Sequence, residues 1–303
     1  MTICRKHPAG AKAFTLLELI LIMIGKTEKG ERPWSSEIFW IYSGPFENGA
    51  GKNHRLYITS RFNKFMEVFV GTCGWLYDWN PQGRFDWYVK FSRLNAVELN
   101  ASFYRFPFPG QINSWARKGS SLKWSVKVNR FITHVYKFGG KSYSTWCKFR
   151  KLFSKLDPYI HFYLFQLPPS FTDAMRERVE EFYLKTKLGK RFALEPRNRT
   201  WFKKENIKWA KKLNITWVSI DAPELSREIY RTTDAVYLRL HGRSAWYAHD
   251  YTDGELKEIA EKILNAKPKR CYAFFNNDHA MLSNARRLFE MLKNRCRGYR
   301  CCF

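Results

Sequence analysis

Val68-Phe69-Val70-Gly71-Thr72-Cys73-Gly74-Trp75 is the stretch on which the fold turns. Three apolar residues run up to Gly71, and small or polar groups follow at once. That is the pattern of a short buried strand ending in a tight turn. The same layout returns at Ala96–Asn100, Trp124–Val128, Phe162–Leu167, Arg191–Glu195, Thr216–Asp221, Ala235–Gly242 and Arg270–Asn277. Between most of these runs the apolar spacing turns helical, which predicts helices over 87–94, 111–117, 144–156, from Thr172 or Asp173 to 186, over 206–213, from a cap at Asp253 to 265, and over 281–294. Near-continuous apolar strands alternating with helices imply a parallel sheet covered by helices. Eight such units favour a closed, TIM-like (β/α)8 barrel of parallel strands. An open doubly wound sheet is the weaker alternative, because no Gly-x-Gly-x-x-Gly turn follows any strand. The barrel predicts that the polar residues ending each strand converge on one mouth.

Ahead of this pattern, residues 1–65 lack a sustained period and are rich in Gly, Ser, Asn and charge after residue 25. The run Ala13–Ile24 is too short to span a bilayer, which takes about 20 apolar residues. Residues 1–65 are expected to be a poorly structured N-terminal extension; the preferred reading takes Met66 as the true start, and the alternative is an accessory segment packed on the barrel floor. Residues 66–295 form the barrel domain, and 296–303 a short Cys/Arg tail.

The chain of 303 residues carries a formal net charge of +26. Residues 66–303 alone hold 43 Lys and Arg against 22 Asp and Glu, so the excess belongs to the body and not to a basic tail. A body that basic suggests a polyanionic partner, nucleic acid before an anionic membrane surface. Twelve Trp and sixteen Tyr fit the same partner, since bases stack on aromatic faces. The seven cysteines are scattered, odd in number and without metal-finger spacing in the body, which predicts a reducing, cytoplasmic setting.

Seven motifs occur in order: Gly71-Thr72-Cys73-Gly74-Trp75, Val97 to Tyr104, Lys127 to His134, Gln166-Leu167-Pro168-Pro169, Glu195-Pro196-Arg197 with Trp201-Phe202, Arg239-Leu240-His241-Gly242, and Phe275-Asn276-Asn277. Together they resemble the YecE-like family, also called domain of unknown function 72, over residues 68–292. The resemblance implies a TIM-like barrel related in architecture to sugar isomerases and apurinic endonuclease IV. Cys73 and Ala101 stand where the family more often has serine, and Asn198 where histidine is common. The family has no settled activity to carry over.

The mouth of the expected barrel gathers Glu98, Asn100, Tyr104, Lys127, His134, Gln166, Glu195, Arg197, Asp221, Arg239, His241 and Asn276. Charges on inner strand faces need partners, so Glu98 with Lys127 and Glu195 with Arg239 are expected ion pairs. Arg197, Arg239 and His241 would form an anion pocket for phosphate or carboxylate, with His241, Glu195, His134 and Asp221 as catalytic acid–base candidates. Trp75, Tyr104 and Trp201 are candidates for stacking bases. His134, Glu195, Asp221 and His241 are metal-ligand types, but no His-x-His or Glu-x-x-His pair accompanies them, so no metal-binding residue is assigned and the cofactor stays open. The functional expectation is a barrel that binds or processes nucleic acid or another phosphate-bearing ligand, with possible phosphodiester-hydrolase-like activity. The alternatives are a nucleic-acid-binding protein without turnover, and a sugar or small-acid enzyme using Glu98 and Glu195 as a carboxylate pair.

Overall fold

A computed structural model describes residues 66–298. Its eight strands are β1 (Glu67–Thr72), β2 (Ala96–Leu99), β3 (Lys123–Lys127), β4 (Ile160–Gln166), β5 (Phe192–Glu195), β6 (Thr216–Asp221), β7 (Ala235–Leu240) and β8 (Arg270–Phe275). All neighbouring strands pair in parallel, in the order β1-β8-β7-β6-β5-β4-β3-β2. The helices are α1 (Phe85–Phe91), α2 (Pro109–Lys118), α3 (Ser142–Leu152), α4 (Arg176–Thr186), α5 (Lys204–Lys212), α6 (Asp253–Asn265) and α7 (Met281–Gly298). This is a nearly closed TIM barrel, as the alternation in the sequence predicts.

The one seam without a backbone ladder lies between β1 and β2, and side chains close it. Asn95 accepts from the Val70 N–H at 2.9 Å and donates to the Val68 carbonyl at 2.8 Å. The Tyr88 hydroxyl accepts from the Thr72 N–H at 3.2 Å and donates to the Ala96 carbonyl at 2.8 Å. Each stands in for a rung, because buried backbone groups must find partners. The approach is so close that a Cβ at Gly71 would lie 2.3 Å from the Ala96 oxygen, so only glycine fits there.

Strand residues alternate between two cores. Phe69, Ala96, Phe162, Leu164, Ala193, Val218, Tyr237, Tyr272 and Phe274 fill the barrel interior. The intervening residues, among them Val70, Val97, Trp124, Tyr163, Leu194 and Trp217, pack against the helices. Continuing the interior alternation carries Glu98, Lys127, Glu195, Arg239 and His241 inward at the carboxyl end, which sets up the mouth.

Some local expectations are corrected. Helix α1 starts at Phe85, not 87. The cap of α6 is Thr252, not Asp253. The Thr252 hydroxyl accepts the Glu255 N–H, and the Glu255 carboxylate accepts the Thr252 N–H, a reciprocal capping box. Helix α7 continues through Gly298. No helix joins β6 to β7; Ala222–Asp234 is irregular. The N-terminal run at 13–24, the extension to residue 65 and the last five residues lie outside the described residues.

Candidate active site at the barrel mouth

Arg239, two strand positions beyond the interior Tyr237, is the hub of the mouth. It is fully buried, and every nitrogen of its guanidinium is engaged. Nε and Nη2 reach Glu98 at 2.6–3.1 Å, Nη1 reaches Glu195 at 2.5 Å, and Nη2 lies 3.4 Å from the Asn100 oxygen. The remaining lone pairs of Glu98 are filled by the Cys73 thiol at 2.9 Å and by the Tyr237 hydroxyl, which also meets Ser125 at 2.6 Å. Glu195 pairs a second time, with Arg197. Burial pushes the Glu195 carboxyl up, but Arg197, Arg239 and Lys127 outweigh it and hold it at about 2. The result is a satisfied Glu–Arg–Glu–Arg chain across the interior, with two negative and two positive charges.

The expected Glu195–Arg239 pair is present. The expected Glu98–Lys127 pair is not: Arg239 takes both oxygens of Glu98, since a planar fork matches a carboxylate better than a single ammonium does. Lys127 is therefore left over. It is 8% exposed, and its ammonium makes no hydrogen bond or ion pair among the described residues but sits 4.2 Å above the Phe103 ring. Burial, then the positive field of Arg239, lowers its pKa from 10.5 to about 7.

His241 is wholly buried behind this chain. Its Nε2 faces Arg197 at 3.0 Å and Arg239 at 3.4 Å, both pure donors, so Nε2 carries a lone pair, and Nδ1 lies 3.2 Å from the Asn276 amide nitrogen. Burial, Arg197 and Arg239 drive its pKa well below 6.5. Loop residues Trp246 and Tyr247 fold back over it, with the Arg197 guanidinium 4.9 Å from the Trp246 ring. A positive φ at Gly242 makes that return feasible. His134, on a π-type turn at Phe131–Val135, packs edge-on to Phe103 and meets the Thr133 hydroxyl at 2.8 Å. Burial, then Lys127, pulls its pKa to about 4.

The structure thus brings together Glu98, Asn100, Lys127, His134, Glu195, Arg197, Arg239, His241 and Asn276. It does not bring in Asp221, which points out of the interior and binds Arg243 and the Tyr251 hydroxyl. Trp201 cannot stack a base: it is buried behind the sheet beside Phe171, Trp209 and Trp217. Trp75 is likewise taken up by Phe85, Trp115 and Trp124. Tyr104 is exposed at the rim, edge-on to Phe103, and Gln166 ends β4 partly exposed. Sequence reasoning missed Tyr237, which reads as an ordinary core aromatic, and Trp246, whose signal was an aromatic pair just after a strand-ending glycine. Among the described residues no group of three or more His, Cys, Asp or Glu could hold a metal ion. A cavity of about 250 Å³ opens between the loops after β1 and β2, lined in part by Cys73, Tyr77 and Asn100.

The family model for "Protein of unknown function DUF72" matches residues 69–299. The chain belongs to this family. A DUF72 protein from Thermotoga maritima is 27% identical over 77% of this chain and 100% of its own, with a TM-score of 0.62. Another DUF72 protein, from Enterococcus faecalis, is 19% identical over 75% of this chain and 95% of its own, at a TM-score of 0.65. The barrel is also similar to a D-psicose 3-epimerase from Clostridium cellulolyticum, at 14% identity over 76% of this chain and 99% of that one, with a TM-score of 0.50. Comparison with curated proteins gives no match. Among the described residues of this DUF72 chain, no helix is long and apolar enough to cross a membrane.

Proposed function

We propose that the mouth binds a small ligand bearing a phosphate or carboxylate, and that Lys127 holds the anion and moves the proton. The Lys127 amine, buried over the Phe103 ring with no anion beside it, carries this reading. The two carboxylates of the interior are neutralised by two guanidiniums, so a protonated Lys127 leaves one positive charge over, and an anionic group completes the balance. Near pH 7 the amine is also divided between its charged and neutral forms, which suits a general acid or base. The other candidates are less apt. Glu195 stays ionised, His241 offers its lone pair only to guanidiniums, and His134 is neutral well below pH 7. Arg239 is spent inside the network and positions Glu98 and Glu195. The carboxylate-pair reading loses support for the same reason, because the oxygens of Glu98 and Glu195 are bridged by Arg239.

Pyridoxal phosphate, a carbonyl compound that carries a phosphate, is a direct probe. Borohydride trapping across pH should label Lys127 with a midpoint near 7, and inorganic phosphate should protect it. Calorimetry with inorganic phosphate at pH 7.5 in two buffers should show proton uptake that disappears in Lys127→Met. Labelling of Lys127 only near pH 10, or phosphate binding unchanged in the variant, overturns the reading.

A further inference from the structure

Between Leu99 and Leu156 the chain has twelve Lys and Arg and no Asp or Glu. This segment builds one sector of the barrel: the end of β2, then α2, β3, the turn at Phe131–Val135, and α3. Nine of the twelve basic residues are exposed. Among the described residues only Lys118, bound to Asp86, is in an ion pair. The contrast with the far side is sharp: there Arg243, Arg270, Arg287 and Arg295 each face a carboxylate. Unpaired like charges in one place raise the energy of the folded chain unless something anionic is held there.

The same sector exposes aromatic faces. Tyr104 is 69% and Phe108 71% exposed, and Phe131 and Phe106 are also open to solvent. The loops that carry them are tied together, by Asn129 donating to the Ser102 carbonyl at 3.1 Å and by the Phe103–His134 contact. Just past Phe108, a groove of about 460 Å³ runs between α2 and α3, lined by Pro109, Asn113, Lys148, Lys151 and Lys155.

We infer that this sector is a binding surface for single-stranded nucleic acid, its backbone lying along the lysine groove and its bases on Tyr104 and Phe108. A groove flanked by separate aromatic rings suits a strand that presents phosphates and bases in turn. A flat anionic membrane would engage a planar face, and here Lys148, Lys151 and Lys155 line a groove. The surface is independent of the proton chemistry assigned to Lys127, so either can fail alone.

The test uses the full chain and a fluorescent mixed-sequence 20-nucleotide single strand, as DNA and as RNA, titrated from 50 to 300 mM NaCl. Lys148→Glu/Lys151→Glu/Lys155→Glu should weaken binding at least tenfold and reduce the salt slope by about 2, as the loss of three phosphate contacts requires. Tyr104→Ala and Phe108→Ala should each weaken binding about tenfold with the slope unchanged, since stacking carries no counterions. The control Lys204→Glu/Lys208→Glu/Lys211→Glu makes the same change in net charge on α5. Equal weakening by that control, no binding at 50 mM NaCl, or binding to vesicles of phosphatidylserine and phosphatidylcholine without binding to the strand would each overturn the inference.

Discussion

On the proposed reading the chemistry of the mouth depends on Lys127, and its environment gives it a pH signature. Its pKa is about 7 in the folded chain and about 10.4 when unfolded. Between those values the unfolded chain binds more protons, so stability rises with pH from about 7 toward 10. Lys127→Met removes that dependence. Chemical denaturation of both proteins at pH 7 and pH 9.5 should show the wild type gaining up to about 3 kcal/mol relative to the variant. Parallel pH profiles would mean that the amine is not perturbed. His241 has the opposite side of the scale to itself. Its folded pKa lies well below 6.5, so its contribution is complete above the unfolded value and is lost as pH falls from there. His241→Asn, which cannot charge, should flatten the stability profile between pH 6.5 and 5 by roughly 1 kcal/mol or more. Arg239 supports both groups. Arg239→Met leaves Glu98 and Glu195 buried without their shared partner and should cost about 3–5 kcal/mol in denaturant unfolding.

At the scale of elements, the β1–β2 seam is where the barrel is held by side chains alone. Asn95→Ala strips partners from the Val70 N–H and the Val68 carbonyl at once, which should cost about 1–3 kcal/mol. Amide exchange at Val70 should quicken, while that of β6 and β7 stays slow. Uniform acceleration across all strands would show that the seam opens only with the whole barrel. Nothing in the sequence marks Asn95 for this task, since an asparagine before a strand reads as a turn residue. The strands themselves were legible, because a buried parallel strand writes itself as an unbroken apolar run. Which strand residue points inward followed from the period of two for Glu98 and Glu195. Asp221 defeated it: at the end of β6 it faces outward, and only the shared register with Val218 and Ser219 shows that. The choice of partner within the mouth was not legible either. Spacing along the chain places Glu98, Lys127 and Arg239 in one layer, but whether the ammonium or the guanidinium wins the carboxylate is settled by fork geometry in three dimensions. Exposure of aromatics was equally hidden, so Trp75 and Trp201 looked like Tyr104 until burial separated them.

Among the described residues the barrel is divided by charge. Its ion pairs gather mostly on the side of β4 to α7, and the segment from Leu99 to Leu156 has basic residues almost without ion-pair partners. Salt acts on these two halves with opposite sign. It weakens exposed pairs such as Arg287–Asp253 and Lys262–Glu258, each worth at most about 1 kcal/mol, and it screens the repulsion within the unpaired sector and from the net charge of +26. With so large an excess of one sign, screening of repulsion should prevail. The melting temperature should rise by several degrees between 20 and 300 mM NaCl. Lys148→Glu/Lys151→Glu/Lys155→Glu lowers the local repulsion by itself, so it should melt higher than wild type at 20 mM NaCl and respond less to added salt. That stabilisation, set beside the loss of strand binding expected from the same three changes, would show positive charge kept on this face at a cost in stability. A wild-type melting temperature that falls with salt would instead assign the balance to the ion pairs of the opposite wall, and would remove the reason for regarding the unpaired sector as strained.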